Sequence, residues 1–424
     1  MLSNSRRFDL SEFLIHFFRR IDITADGSPS LPDHLGWGNV NEDVIYPPIF
    51  MLRCAIRNRR LWATWAVRNG ARTIYGSRPA VCFTEMPIAA FLETSRSREA
   101  QGQAISQYAI LLPKVAMFRR GANPVIYGLD ARDARLPPGQ GGGPRIMNDS
   151  LLPAMEQYRY VTFNPAATKP IDWTHEREWR WPYSGDLTRY QYELDDVGMV
   201  DDTSDMPGMD LTGDDLAGMG IIVRKKSEIA EVAHDVLALV DRDIVGRDHF
   251  QFVLCAEKVH DLEAIRDPEG VEQALLGATL DLASILDGDP KQRDALAQEF
   301  ANVVAQVDAA HPEIECGEPG GCWLWLVDNT HALTRALLDA GRAVVSESGR
   351  YLAKLPEFSL DRGLQQRERM TRELATMVGK KYGLEAGYFS VLGKHSVDGV
   401  PFYNDDHLNN RLFYNVTWEA KEAK

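Results

Sequence analysis

Residues 174–182 have the sequence THEREWRWP, and this stretch is the most informative one for the fold. Polar and bulky residues alternate along it, which predicts a β-strand with Glu176 and Glu178 on one face and Trp179 and Trp181 on the other. Two carboxylates one pleat apart on a rigid strand suit acid–base chemistry, or the stabilisation of a cation that develops on a sugar. We therefore place a candidate active site on this strand.

Length and hydropathy limit the class of protein. A chain of 424 residues predicts two or three domains. No apolar run approaches the roughly 20 residues that a membrane-spanning helix needs. The first apolar stretch, residues 13–18, is too short for the core of a signal peptide and contains His16. These features predict a cytoplasmic protein with no membrane partner.

The cysteines indicate neither a disulfide framework nor a metal site. There are five of them, an odd number without a repeating spacing. No paired Cys/His spacing of the kind that binds zinc is present, so we predict no metal. Cys316 and Cys322 flank a turn rich in glycine and proline. They are either a redox-active pair or ordinary buried thiols.

Charge is distributed unevenly along the chain. The net charge is -14, yet residues 1–145 carry 19 Lys and Arg residues against 12 Asp and Glu residues. Arginine presents a planar fork that matches phosphate oxygens, so a polyanionic ligand near this third of the chain is one interpretation. The alternative is a solvated helix face, with Arg53 to Arg60 on one amphipathic helix.

Hydrophobic periodicity divides the chain into two predicted domains. Residues 1–265 alternate short strands and helices, with strands at 14–18, 80–84, 108–112 and 124–127 and helices starting at 48 and 87. This domain includes a glycine loop at 139–143 and a mobile acidic insertion at 195–215. Residues 268–424 form a mainly helical α/β accessory domain. Its predicted helices are 271–286, 292–309, 330–352 and 364–382, and its predicted strands are 322–327 and 388–392.

Four separated blocks share their order and pattern with one protein family. They are LIHF at 14–17, RPAVCFTEMP at 78–87, GANPVIY at 121–127 and EREWR at 176–180. Together they resemble the abortive-infection AbiGi family of phage-resistance proteins, which is similar to DarT-type ADP-ribosyltransferases. The resemblance covers about residues 10–260, while the C-terminal part resembles a domain of unknown function.

The resemblance implies a fold and a substrate. The fold would be an α+β, ADP-ribosyltransferase-like split mixed β-sheet with flanking helices, and the substrate would be NAD. By this resemblance His16 contacts a ribose of NAD and Glu178 bonds the 2′-OH of the nicotinamide ribose. Glu176 would orient the acceptor and could accept its proton, with a solvated neighbour of Glu178 as the alternative. Residues 166–173 would form the loop that recognises the acceptor.

Three further residues are assigned by the same resemblance. Arg78 or Arg72 would hold a phosphate of NAD, and Thr84 would support the site from the neighbouring strand. Structural alternatives stand beside these roles. Glu178 could simply pair with Arg180, His16 could be a core histidine with its hydrogen bonds satisfied, and Arg78 could be a loop cation.

These observations lead to one functional hypothesis and two rivals. The hypothesis is an NAD-dependent mono-ADP-ribosyltransferase that acts as an effector in phage defence or in a toxin–antitoxin system. The acceptor would be a nucleic acid or a protein, and an antitoxin or a phage component is a possible further partner. The rivals are an NAD glycohydrolase and a non-catalytic antitoxin or sensor that binds a partner protein. Either enzyme requires His16 and Glu178 to face one cleft large enough for a dinucleotide. If the two residues lie on opposite sides of the sheet, the binding protein is favoured.

Overall fold

The computed structural model describes residues 9–22, 45–68, 71–129, 145–168, 170–187, 207–260, 262, 265 and 267–402. The predicted glycine loop at 139–143 lies outside these residues, as does most of the predicted insertion at 195–215. The rest of that insertion, residues 207–215, is well packed: it includes a strand, Gly208–Asp210, and its Met209 and Leu211 side chains are each 2% exposed. These residues thus combine buried apolar side chains with exposed acidic ones, so this part of the predicted insertion is anchored in the first unit.

The strands are, in chain order, β1 (Phe13–Phe17), β2 (Ile21–Asp22), β3 (Ile45–Tyr46), β4 (Arg60–Trp62), β5 (Val67–Arg68), β6 (Ala71–Arg72), β7 (Ala80–Thr84), β8 (Ala109–Pro113), β9 (Asn123–Pro124), β10 (Ile126–Tyr127), β11 (Tyr160–Val161), β12 (Glu178–Pro182), β13 (Gly208–Asp210), β14 (Met219–Val223), β15 (Phe250–Cys255), β16 (Thr279–Asp281), β17 (Gly320–Leu326), β18 (Ala343–Val345), β19 (Tyr351–Ala353) and β20 (Ala386–Leu392). The helices are α1 (Pro48–Arg57), α2 (Ile88–Ala100), α3 (Lys114–Arg119), α4 (Ile229–Asp241), α5 (Pro268–Gly277), α6 (Ala283–Leu286), α7 (Pro290–Ala310), α8 (Ala332–Asp339) and α9 (Leu364–Tyr382).

The chain divides into two compact units. The first unit comprises residues 1–229 and 248–280, and the second comprises residues 230–247 and 281–424. The sequence predicted one break, between residues 265 and 268. The structure differs in that residues 230–247, which include most of α4, belong to the second unit.

A large mixed β-sheet with flanking helices forms the first unit, as predicted. Its eight strands are in the order β16-β15-β14-β8-β1-β7-β12-β9. β14 and β15 are parallel, while the pairs from β14 through β8, β1, β7 and β12 to β9 are antiparallel. One face of the sheet is covered by α2, where Phe91 and Leu92 pack against Ile15, Leu111 and Ile222. Burial of these apolar side chains stabilises the layer.

The central strands β1 and β7 are paired over a very short distance. β1 aligns with β8 through five residue pairs, from Phe13↔Pro113 to Phe17↔Ala109. Between β1 and β7 the described residues contain one aligned pair, Ile15↔Thr84. The ladder is therefore continuous on one side of β1 and interrupted on the other, close to His16.

The second unit is built on an antiparallel sheet in the order β18-β19-β17-β20. Its core combines residues of α7, α8 and α9 with the sheet, including Phe300, Leu337 and Leu374. The predicted helix 364–382 is confirmed by α9. The predicted helix 330–352 was wrong, because α8 ends at Asp339 and Gly341 then adopts a φ of +64°. The predicted helix 271–286 is likewise divided by β16.

Candidate active site around Glu178

The stretch 174–182 is not one strand. Residues Thr174–Glu176 form a single 3₁₀ turn, and β12 begins only at Glu178. Between them Arg177 adopts the left-handed conformation, with φ 45° and ψ 46°. A left-handed residue breaks the alternation of a strand. The prediction that Glu176 and Glu178 lie on one face of a strand was therefore wrong.

Glu178 lies at the start of β12 with its side chain 19% exposed, and a buried arginine fixes its carboxylate. Arg180 Nε donates a hydrogen bond of 2.8 Å to Glu178 Oε1. Arg180 is itself only 4% exposed, and its Nη1 donates to the carbonyls of Tyr158 at 2.7 Å and Tyr160 at 3.2 Å. The alternative of a Glu178–Arg180 pair is thus present, with a buried arginine and a half-buried carboxylate rather than two surface groups.

Two neutral groups lie within the electrostatic influence of the Glu178 carboxylate. Burial, and then the negative charge of Glu178, raise the pKa of Cys82 to about 12. The same two causes, in the same order, raise the pKa of Tyr127 to about 12. Both groups therefore keep their protons at neutral pH, and Glu178 is next to neutral groups on these two sides.

Thr84 connects β7 to the turn that precedes Glu178. It is the register partner of Glu178 and is 3% exposed. Its Oγ1 donates a hydrogen bond of 2.6 Å to the carbonyl of Glu176 and accepts one of 3.1 Å from the backbone N–H of Met86. The hydroxyl thus fixes the 3₁₀ turn against the end of β7, next to Glu178.

The carboxylate of Glu176 is bound by a helix residue. Arg98 of α2 donates from Nη1 to Glu176 Oε1 at 2.5 Å, and His175 Nε2 lies 3.8 Å from the same oxygen. Arg98 was not identified from the sequence. Its spacing on α2 is that of an ordinary solvent-facing cation, so only tertiary structure reveals the contact.

His16 occupies the place where β1 and β7 separate. Its Nδ1 lies 2.9 Å from the carbonyl oxygen of Cys82, and its ring packs edge-on against Phe18 and Phe83. Burial lowers the pKa of His16 to about 4, although the hydrogen bond to Cys82 acts in the opposite direction. Because a carbonyl can only accept, Nδ1 carries the proton of this neutral ring. Nε2 is then a hydrogen-bond acceptor.

The register separates the side chains of His16 and Glu178. Ile15, Thr84 and Glu178 are aligned across β1, β7 and β12, so their side chains point to one face of the sheet. His16 follows Ile15 and belongs to the other alternating set, together with Phe83. At this register His16 and Glu178 therefore lie on opposite faces of the sheet, an arrangement that favours the binding-protein rival over a single shared cleft.

The two arginines predicted to bind phosphate, Arg72 and Arg78, lie in different surroundings. The guanidinium of Arg72, on β6, lies 4.1 Å from the centre of the Trp65 ring. Such stacking occupies one face of the cation. Arg78 is half-buried in the connection before β7, where its charge acts on Tyr158.

The interpretation of Arg53 to Arg60 as one solvated helix face was wrong. α1 ends at Arg57, and Arg53 within it is only 3% exposed.

The predicted acceptor loop at 166–173 has a closed base in the described residues. Asn164 and Ile171 exchange backbone hydrogen bonds of 2.9 and 3.0 Å. The hydroxyl of Tyr127 donates to the carbonyl of Trp173 at 2.9 Å, and the Trp173 side chain is 37% exposed. The loop is thus attached to the same tyrosine whose pKa Glu178 raises.

Comparison with known proteins concerns the second unit alone. A family model described as "Protein of unknown function (DUF4427)" matches residues 287–416, and its description assigns no activity. No curated protein and no solved structure matches the chain. Within the described residues, no helix is both long and apolar enough to cross a bilayer. Those residues also contain no group of three His, Cys, Asp or Glu side chains arranged to hold a metal.

Proposed function

We propose that this chain is an NAD-dependent mono-ADP-ribosyltransferase, and that its first unit is an ADP-ribosyltransferase-like domain of the kind found in AbiGi and DarT-type proteins. The observation that carries the proposal is the set of Glu178, Thr84 and His16 on the three neighbouring strands β12, β7 and β1, with the ladder between β1 and β7 interrupted beside His16. A carboxylate and a neutral imidazole on neighbouring strands, with a hydroxyl that fixes the turn beside the carboxylate, suit a ligand rich in hydroxyl groups.

Glu178 performs the electrostatic part of the reaction. When the bond between nicotinamide and ribose breaks, its electron pair leaves with nicotinamide, which departs as a neutral molecule. The ribose then carries the positive charge of an oxocarbenium-like state. A carboxylate fixed beside the sugar stabilises this charge, and preorganised groups of this kind contribute about 3–4 kcal/mol. Arg180 supplies the preorganisation, because its buried guanidinium holds the carboxylate in one orientation.

His16 acts as a binding group rather than as an acid. Its Nδ1 proton is committed to the Cys82 carbonyl, so Nε2 accepts a hydrogen bond from a ribose hydroxyl. The low pKa keeps this acceptor free of a proton at neutral pH. No acid is required for the leaving group, which agrees with a neutral histidine at this position.

The two glutamates have different roles in this proposal. Glu176 is a positioning residue, since its carbonyl accepts from Thr84 and its carboxylate binds Arg98. The acceptor, a nucleic acid or a protein, attacks the ribosyl carbon with a lone pair and loses a proton to solvent. The setting that we propose is an effector in phage defence or in a toxin–antitoxin system, with an antitoxin or a phage component as a further partner.

A second candidate is a non-catalytic antitoxin or sensor. One observation favours it: the Glu178 carboxylate already has a buried partner, and the pleat assigns His16 to the other face. In that case the same residues only stabilise the sheet, and the protein acts by binding.

Product analysis separates the candidates. NAD labelled in its adenine ring is incubated with the protein, with and without oligonucleotide and protein acceptors, and the products are separated by mass. The proposal predicts label attached to an acceptor. Free ADP-ribose as the main product would indicate an NAD glycohydrolase instead. Intact NAD under all of these conditions would favour the non-catalytic candidate.

A further inference from the structure

A cavity of about 920 Å³ lies in the first unit, and none of its lining residues takes part in the proposed chemistry at Glu178. It is formed where β14 and β15 end. These strands are parallel, so the segments that follow them, 224–227 and 256–260, meet at the same edge of the sheet. The C-terminal half of α2 completes the lining with Arg96, Glu99 and Ala100.

The cavity is positively charged in an acidic protein. Four of its lining residues are cations, namely Arg96, Arg224, Lys225 and Lys226, and two are carboxylates, Glu99 and Glu257; His260 and neutral residues complete the lining. The chain as a whole has a net charge of -14. Cations are thus concentrated here against the overall trend, which favours an anionic ligand.

The two carboxylates leave part of this positive charge available. Glu99 binds Arg224 Nη1 at 3.0 Å in an exposed pair, and Glu257 accepts the backbone N–H of Lys226 at 2.8 Å. Among the described residues, the contact of Arg96 Nη2 is a long one of 3.3 Å to the Val259 carbonyl. Within the described part of the chain, the ammonium group of Lys226 has no partner. An anion can therefore bind the free faces of these cations without breaking a buried ion pair.

The start of α4 does not provide the site by itself. Glu228 already accepts the backbone N–H of Lys225 at 2.8 Å, and it also receives the hydroxyl of Tyr108 at 2.7 Å. Since Glu257 takes the next N–H, the amides of Lys225 and Lys226 are both occupied. Recognition has to come from the side chains of Arg96, Arg224 and Lys226.

We propose that this cavity binds a phosphate-bearing ligand of nucleotide size. Planar guanidinium groups match phosphate oxygens with two parallel hydrogen bonds, and lysine adds a point charge. The volume lies in the range of small-molecule sites, about 300–1,000 Å³. The phosphate comes either from a free nucleotide or from a nucleic-acid strand that crosses the cavity. The site is independent of the proposed NAD chemistry at Glu178.

Calorimetric titration of the full chain tests the proposal with ADP and with a short single-stranded oligonucleotide as probes. The variant is Arg224→Gln combined with Lys226→Gln. The matched control is Arg369→Gln, because Arg369 is as exposed as Arg224 and also pairs with a glutamate. We expect the double variant to bind the preferred probe at least about tenfold more weakly. The control should bind like the wild type, and wild-type affinity should fall as salt rises.

Each outcome decides the proposal. If ADP binds more strongly than the oligonucleotide, the ligand is a free nucleotide; if the oligonucleotide binds more strongly, the ligand is a nucleic-acid strand. Either conclusion requires that the double variant binds the stronger probe more weakly than the wild type does. The proposal is overturned if neither probe binds the wild type, or if the double variant binds both probes as tightly as the wild type does. If the double variant binds ADP as tightly as the wild type does, ADP is bound elsewhere, for example near Glu178. Unfolding midpoints of the variants show whether each one is folded.

Discussion

Arg180 is the residue on which the geometry of Glu178 depends. Its guanidinium is buried and joins a carboxylate to two backbone carbonyls. In Arg180→Met these acceptors lose their donor and the carboxylate loses its partner. We expect the free energy of unfolding to fall by about 3–5 kcal/mol, measured by urea denaturation.

Arg159→Met provides the control for this loss. Arg159 also bonds one carboxylate and one carbonyl, those of Glu156 and Pro124, but its side chain is 22% exposed and that of Glu156 is 41% exposed. Exposed pairs contribute about 1 kcal/mol or less. If both arginine variants lose the same stability, Arg180 does not have the special role assigned to it.

His16 predicts a pH dependence of stability. Its pKa is about 4 in the folded protein, against about 6.5 for an unperturbed histidine. Above pH 6.5 the ring is neutral in both states. As the pH falls from 6.5 to 4 the unfolded state takes up a proton that the folded state does not, so stability decreases. Over this pH interval the free energy of unfolding of the wild type should fall by on the order of 2–3 kcal/mol more than that of His16→Asn.

Urea titrations at several pH values measure this difference, and Asn is chosen because it can keep a donor for the Cys82 carbonyl without titrating. NMR of labelled histidine provides an independent measurement. It should show a neutral ring with its proton on Nδ1 at pH 7. A His16 that protonates near pH 6.5 would contradict the proposed acceptor role of Nε2.

At the scale of single elements, the sequence predicted regular structure better than its interruptions. β7 was predicted with correct bounds, as was α9, because five apolar or β-branched residues and a long amphipathic period are strong local signals. The break at Arg177 carries no such signal, since arginine is not a residue that favours left-handed φ. Gly341 is a sequence signal for the end of α8, but the apolar period continues beyond it and predicts a longer helix.

The candidate site was predicted in the same uneven way. The strand positions of His16, Thr84 and Glu178 could be predicted, because each residue lies in a short run with an apolar or alternating pattern. The structure adds that the three strands are neighbours in the sheet. The contact of Arg98 with Glu176 could not be predicted, because it joins residues 78 positions apart. Nor could the short register between β1 and β7, which depends on the twist and pairing of whole strands.

The left-handed Arg177 predicts a specific order of variant stabilities. Both Arg177→Asn and Arg177→Val lose the hydrogen bond that Arg177 donates to the Asp9 carbonyl. Asparagine tolerates positive φ, whereas a β-branched valine does not. We expect Arg177→Val to be less stable than Arg177→Asn by about 1–2 kcal/mol in urea denaturation. Equal stabilities would mean that the turn before β12 relaxes to another conformation.

At the scale of the whole molecule, the second unit depends on a segment that is remote in sequence. Asp241 at the end of α4 receives two hydrogen bonds from Arg335, at 2.6 and 2.7 Å, and one from Tyr351 at 2.6 Å. Arg335 is 5% exposed and Tyr351 is fully buried. A fragment of residues 268–424 would lack Asp241 and leave this arginine buried without its partner.

We therefore expect the fragment 268–424 to unfold at a lower temperature than the second unit does in the full chain, or to lack a cooperative transition. Circular dichroism during heating measures this. Full-length Asp241→Asn is the matched variant, since it keeps the volume of the side chain and removes its charge, and it should be destabilised as well. A fragment as stable as the second unit in the full chain would show that residues 230–247 are not part of that unit.

The central claim is that Glu178 promotes cleavage of the bond between nicotinamide and ribose, and nicotinamide release measures this most directly. The rate is compared for the wild type, Glu178→Gln and the control Glu156→Gln, which removes an exposed carboxylate that also pairs with an arginine. With each variant shown to be folded, we predict release by the wild type and by Glu156→Gln, and a rate about 10²–10³-fold lower for Glu178→Gln. Equal rates for the wild type and Glu178→Gln would contradict the account.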